Sequence, residues 1–109
     1  MTTTALPDAI RAFIDATNSG DSDAFAAAFT EDAYLEDGGR GFHGRDGVLS
    51  WDRTDNIGKR SHFDLVGIEP GSHSDAYVVT LTVSGDGYNG TGPMVFELRG
   101  GLIARLIIS

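Results

Sequence analysis

Apolar positions open this chain with a helical period and close it with an alternating one. Leu6, Ile10, Phe13, Ile14 and Thr17 fall at i, i+4, i+7, i+8 and i+11, one stripe of a helix. Pro7 suits the first turn, Asp8 complements the helix dipole, and Asn18-Ser19-Gly20 is a stop signal. A second helix follows from Asp21, a good N-cap, with Phe25, Ala28 and Phe29 as its apolar face. Residues 33–37 alternate like a short strand ended by Gly38-Gly39, and residues 40–43 read as a loop. Residues 45–53 form a third helix with a sparse apolar face of Val48, Leu49 and Trp51.

The remainder reads as sheet. Strands are predicted over 61–68, 76–84, 91–99 and 102–108, separated by Pro70-Gly71, by Gly85-Asp86-Gly87 with Asn89-Gly90, and by Gly100-Gly101. Helices first and hairpin-connected strands last imply an α+β fold, with three N-terminal helices packed on one face of a strongly curved, mostly antiparallel sheet. A bent sheet covered by helices encloses a cavity, a common place for a ligand. On the strand 76–84, Thr80, Thr82 and Ser84 share one face while Tyr77, Val79, Leu81 and Val83 share the other. If the hydroxyl face is the concave one, the cavity is partly polar. The apolar face then needs outside cover, which predicts a homodimer through the outer sheet face.

Composition narrows the partners. One domain spanning 1–109 is the expectation for a chain of 109 residues. Sixteen acidic against 8 basic residues give a formal net charge of −8, which repels phosphate backbones, so no nucleic-acid partner is expected. No Cys is present, which excludes disulfides and thiolate metal sites. No apolar run is long enough to cross a bilayer, and the first seven residues lack a signal-peptide pattern, so a cytoplasmic protein away from membranes is expected.

Ala-Thr-Asn-Ser-Gly-Asp-Ser-Asp-Ala-Phe at 16–25, Phe-Thr-Glu-Asp-Ala at 29–33, Glu-Asp at 36–37 and Phe-His-Gly-Arg at 42–45 recur in one family in this order. With the ending Met-Val-Phe-Glu-Leu-Arg-Gly-Gly-Leu-Ile-Ala-Arg-Leu at 94–106, they resemble the ketosteroid-isomerase and polyketide-cyclase (SnoaL-like) branch of the nuclear-transport-factor-two-like superfamily. The resemblance covers nearly the whole chain and implies a cone-shaped domain with a small-molecule pocket. It does not by itself imply an activity, since the fold hosts many.

The resemblance places Asp37 where ketosteroid isomerases keep their proton-shuttling carboxylate. Phe13 and Met94 fall where those enzymes carry the two oxyanion-hole donors, and neither can donate. Loss of one such donor costs about 100- to 1,000-fold in rate, so a faithful ketosteroid isomerase is not expected. Phe13, Phe29, Trp51, Met94 and Phe96 are the expected pocket walls, each with an alternative life as plain core. A carboxylate at the mouth of an apolar cavity is a candidate general base; the competing reading makes Asp37 the cap of a glycine turn.

Other residues have weaker claims. Epoxide hydrolases of this fold use an Asp-Arg-Asp arrangement, which invites comparison with Asp37, Asp52 and Arg53. Adjacent helix residues diverge by about 100°, so at most one of Asp52 and Arg53 faces inward, and a solvated face is the simpler expectation for both. His62 and Asp64 share a strand face as an acid–base pair or an outer polar pair; His43 and His73 belong to turns. No His-Glu-x-x-His pattern or matching spacing supports a metal, and no cofactor is expected. Two functions follow. One is proton-transfer chemistry (isomerisation, cyclisation or dehydration) on a small apolar molecule with Asp37 as base. The other is a non-catalytic ligand-binding or dimerisation module, favoured by the missing donors and by the end at Ser109, because longer relatives close the pocket with further residues.

Overall fold

The computed structural model describes residues 5–108. α1 (Asp8–Ser19) buries Ile10, Phe13, Ile14 and Thr17, the stripe its spacing defines. It stops at Gly20, whose φ of 72° lets its N–H reach back to the carbonyls of Ala16 and Thr17. Asp21 caps α2 (Ser22–Ala27), accepting from the Ala24 N–H at 3.0 Å. This helix is shorter than its apolar pattern, and Phe29 belongs instead to β1 (Phe29–Asp37).

The loop expected after Gly38-Gly39 is a strand. Both glycines have positive φ, 57° and 86°, and the tight turn they make returns β2 (Arg40–His43) antiparallel along β1. α3 (Gly44–Asp55) comes after this hairpin, so the three helices do not all precede the sheet. A 3-10 turn (Ile57–Lys59) leads into β3 (His62–Pro70), β4 (Ala76–Ser84), β5 (Gly90–Arg99) and β6 (Leu102–Ile108).

The six strands lie in the order β2-β1-β6-β5-β4-β3. All neighbours are antiparallel except β1 and β6, which makes the sheet mixed. β2 and β3 are its edges. The Asn18 side chain covers part of the β3 edge, donating to the Phe63 carbonyl at 2.9 Å and accepting from the Phe63 N–H at 2.7 Å.

One face of the sheet carries the core. Leu35, Phe63, Val79, Leu81, Met94, Phe96 and Leu106 are buried there beneath the helices. Thr80 and Thr82 therefore point outward, since burying the apolar row removes far more hydrocarbon from water. The conditional case for a dimer, an uncovered apolar face on β4, does not arise. Ile103 and Leu106 are likewise fully buried inside. What remains on the outer face is a mixed surface in which Val78, Val95 and Ile107 are half-buried among Thr80, Glu97 and Arg105.

The centre of the core is aromatic. Phe13 lies 5.3 Å from Phe25, 5.3 Å from Phe63 and 5.2 Å from Phe96 between ring centroids, with Phe29 at 6.1 Å. Trp51 joins the cluster by stacking on Phe25. Among the described residues, no helix is long and apolar enough to cross a membrane.

Candidate functional site

Beyond the aromatic cluster the helices and sheet part around a cavity of about 370 Å³. Side-chain size along β5 explains where it opens. The inward positions of that strand run Phe96, Met94, Gly92, Gly90, opposite Tyr77, Val79, Leu81 and Val83 of β4. Side chains fill the space at the Phe96 end and vanish at the glycine end. A Cβ built on Gly92 would meet nothing within 4 Å.

The interior walls are Trp51 of α3 with Phe63, Leu81, Val83 and Met94 of the sheet, all buried. The exposed lining residues Arg40, Lys59 and Tyr88 mark the mouth. Asp37 stands between the two zones, half-buried at the last position of β1, in register with Ile108 of β6 and turned inward with it.

Of the residues expected around a pocket, Asp37, Trp51 and Met94 line this cavity. Phe13, Phe29 and Phe96 do not: each is fully buried and packed on other rings. The reason is the position of α1 and α2, which lie over that end of the sheet and close it with aromatics. Phe63, which the sequence did not single out, forms the cavity wall with Phe13 stacked behind it at an interplanar angle of 25°.

Asp37 is held from two sides. Trp51 Nε1 donates to Asp37 Oδ2 at 2.9 Å, and Arg40 Nη2 donates to the same oxygen at 3.1 Å. Arg40 also pairs with Asp55, so one guanidinium bridges two carboxylates. Asp55 foremost, and Asp37 after it, push the Arg40 pKa above its ordinary value. Asp37 Oδ1 accepts from no group among the described residues. Sequence reasoning missed Arg40 and Asp55. A signal existed for the second, because Trp51 and Asp55 are four apart on one helix and share a face.

The sequence matches a SnoaL-like domain over residues 10–106. The chain belongs to the SnoaL-like family. Similar structures include a Sinorhizobium meliloti protein proposed to be a polyketide cyclase, 29% identical, with 95% of each chain covered and a TM-score of 0.85. A Mycobacterium tuberculosis protein in complex with estradiol-17beta-hemisuccinate is 18% identical, with 91% of this chain and 88% of that one covered and a TM-score of 0.79. The Delta 5-3-ketosteroid isomerase of a Mycobacterium species is 20% identical, with 91% and 87% covered and a TM-score of 0.77. No curated protein is significantly similar in sequence.

In this SnoaL-like domain the other charged candidates lie away from the cavity. His62 and Asp64 pair at 3.3 Å on the outer face, both exposed, and His43 and His73 are exposed as well. Arg53 is exposed, but Asp52 corrects the expectation of a solvated face, being only 1% exposed. Its carboxylate accepts from Ser22 Oγ at 3.0 Å and Asn56 Nδ2 at 3.1 Å, and more weakly from the Ile57 N–H at 3.4 Å. Asn56 Nδ2 also donates to Thr17 Oγ1 at 2.9 Å, so one buried polar knot ties α1, α2 and α3 together.

Burial pushes the Asp52 pKa up, against the lowering effect of those hydrogen bonds. A carboxyl whose folded pKa is raised binds its proton more tightly in the folded chain, so its contribution is fully present below about pH 3.8 and is lost as pH rises through the folded value. Asp52→Asn is expected to remove that dependence. An amide can still accept from Asn56 and Ile57 and can donate to Ser22. The variant should gain stability relative to the parent from pH 4 to pH 7 in urea titrations; a constant difference across that range would contradict this account.

Proposed function

We propose that this SnoaL-like domain binds a small, mostly apolar molecule in the cavity and transfers a proton on it, with Asp37 as general base, in an isomerisation, cyclisation or dehydration. The observation that carries the reading is the state of the Asp37 carboxylate. One oxygen is fixed by Trp51 and Arg40, and the other is unengaged beside an apolar interior. A base held by its second oxygen keeps its aim while the first takes a proton. Trp51, Phe63 and Met94 supply walls, and Lys59 and Tyr88 are the donors at hand for developing negative charge. The similar structures proposed to be a cyclase, solved with a steroid ester, and named as an isomerase all support an apolar ligand.

A second reading, binding without turnover, also has an observation behind it. Phe13, at one of the positions where the resemblance expects an oxyanion donor, is sealed in the core, and Met94, at the other, has no hydrogen to donate. A homodimer through the outer sheet face stays in the proposal on narrower ground than an uncovered apolar face of β4, namely the half-buried Val78, Val95 and Ile107; sedimentation as a single-chain species would remove it.

The test is a thermal-shift screen against small apolar ketones, lactones, steroids and epoxides. A ligand that binds only the folded state, at a hundred times its dissociation constant, adds about 2.7 kcal/mol of stability. Hits that are also converted support the enzyme, and hits recovered unchanged support the binder. A flat panel defeats both.

A further inference from the structure

The cavity has a second polar pole that the proton-transfer reading does not use. Asn56, the residue after α3, lines the cavity and is only 1% exposed. Its backbone is satisfied: the N–H donates to the Asp52 carbonyl at 3.2 Å, and the carbonyl accepts from Lys59 at 2.9 Å and Ser61 at 3.1 Å. Both carboxamide hydrogens are engaged, by Thr17 Oγ1 and Asp52 Oδ1. With Nδ2 donating to both Thr17 Oγ1 and Asp52 Oδ1, the amide is turned with its oxygen on the other side. The amide oxygen is left facing away from the knot, and it accepts from no group among the described residues.

Ser61 stands beside it, joined through its N–H to the Asn56 carbonyl across the 3-10 turn. It is 6% exposed, lines the same cavity, and its hydroxyl makes no hydrogen bond to a described residue. Among the described residues the one side-chain polar atom that is both sealed and unpartnered is Thr30 Oγ1. The Asn56 oxygen and the Ser61 hydroxyl are therefore not sealed; both residues line this cavity, and Ser61 also borders a shallower hollow beside the end of α1.

We propose that Asn56 and Ser61 form a hydroxyl-recognition site, so that the molecule bound here carries an alcohol, phenol or enol on its apolar skeleton. The inference rests on the cavity being a binding site, as above. A hydroxyl donates to the Asn56 oxygen and accepts from Ser61, which satisfies both groups at once. A ketone oxygen accepts from Ser61 but leaves the Asn56 oxygen without a donor, and a hydrocarbon satisfies neither. Buried acceptors left unmet are costly, and sites built to bond a hydroxyl reject analogues that lack one. Asn56 and Ser61 thus determine specificity, and Asp37 remains the reactive group.

Matched pairs test this by titration calorimetry on the whole chain: cyclohexanol with cyclohexanone, 2-decalol with 2-decalone, and 2-naphthol with naphthalene. The hydroxyl member of at least one pair should bind about tenfold more tightly or better. Ser61→Ala should shrink the 2-naphthol to naphthalene ratio and leave naphthalene affinity and the thermal midpoint as they were, because the Ser61 hydroxyl holds nothing in the fold, while the ketones should weaken with the alcohols. Asn56→Ala should abolish the ratio, with the affinity of the partner lacking the hydroxyl as its control for folding. Equal affinities within every pair, or a ratio that survives both substitutions, would overturn hydroxyl recognition and leave the cavity reading standing. If no compound binds, both fail together.

Discussion

Phe13→Ala is expected to cost about 3–5 kcal/mol of folding stability. The ring is fully buried and packed on those of Phe25, Phe29, Phe63 and Phe96, which come from α2, β1, β3 and β5. Neighbours on four elements cannot all close into the space an alanine leaves, so the cavity penalty adds to the lost transfer energy. For a domain of this size each kcal/mol lowers the melting midpoint by roughly 4–8 °C. Denaturant titration gives the free energy directly, and a loss below about 1 kcal/mol would mean that Phe13 is a replaceable wall and not the hub of the core.

The second large effect concerns chemistry. Asp37→Asn should lower turnover by about 100- to 10,000-fold on whichever substrate the screen identifies, the range for loss of a general base. The amide oxygen can still accept from Trp51, and Arg40 keeps Asp55, so ligand affinity and folding should hold. Loss of rate with binding retained assigns the carboxylate to the reaction. An unchanged rate in this variant takes Asp37 out of the mechanism.

Much of the fold was legible because it rests on short-range rules. The bounds of β4 follow from alternation and those of β6 from an apolar run after Gly100-Gly101, and the Asp21 cap and Gly20 stop follow from backbone chemistry. β2 was hidden because its four residues carry no alternation of their own; two positive-φ glycines and pairing with β1 make it a strand. The site was only half legible for a different reason. Inward-facing aromatics are recognisable from periodicity, but whether one is wall or core depends on how far the helices reach along the sheet. That is why Phe96 is sealed while Met94, two residues along the same strand, meets the cavity. Asp52 likewise reads as a surface charge until Ser22, Thr17 and Asn56 arrive from other segments.

The descending series Phe96, Met94, Gly92, Gly90 makes β5 a graduated scale laid against the bore of the domain. Because the thick end is anchored in the aromatic hub and the thin end is bare backbone, length of reach and tightness of fit reside in different residues. On the proposed binding reading, a lineage could lengthen or shorten the accepted molecule by changing one or two inward positions near Gly92, without renegotiating the stability held at Phe96. Such a division lets one scaffold pass among ligands of different size by single steps, each leaving a folded protein behind it.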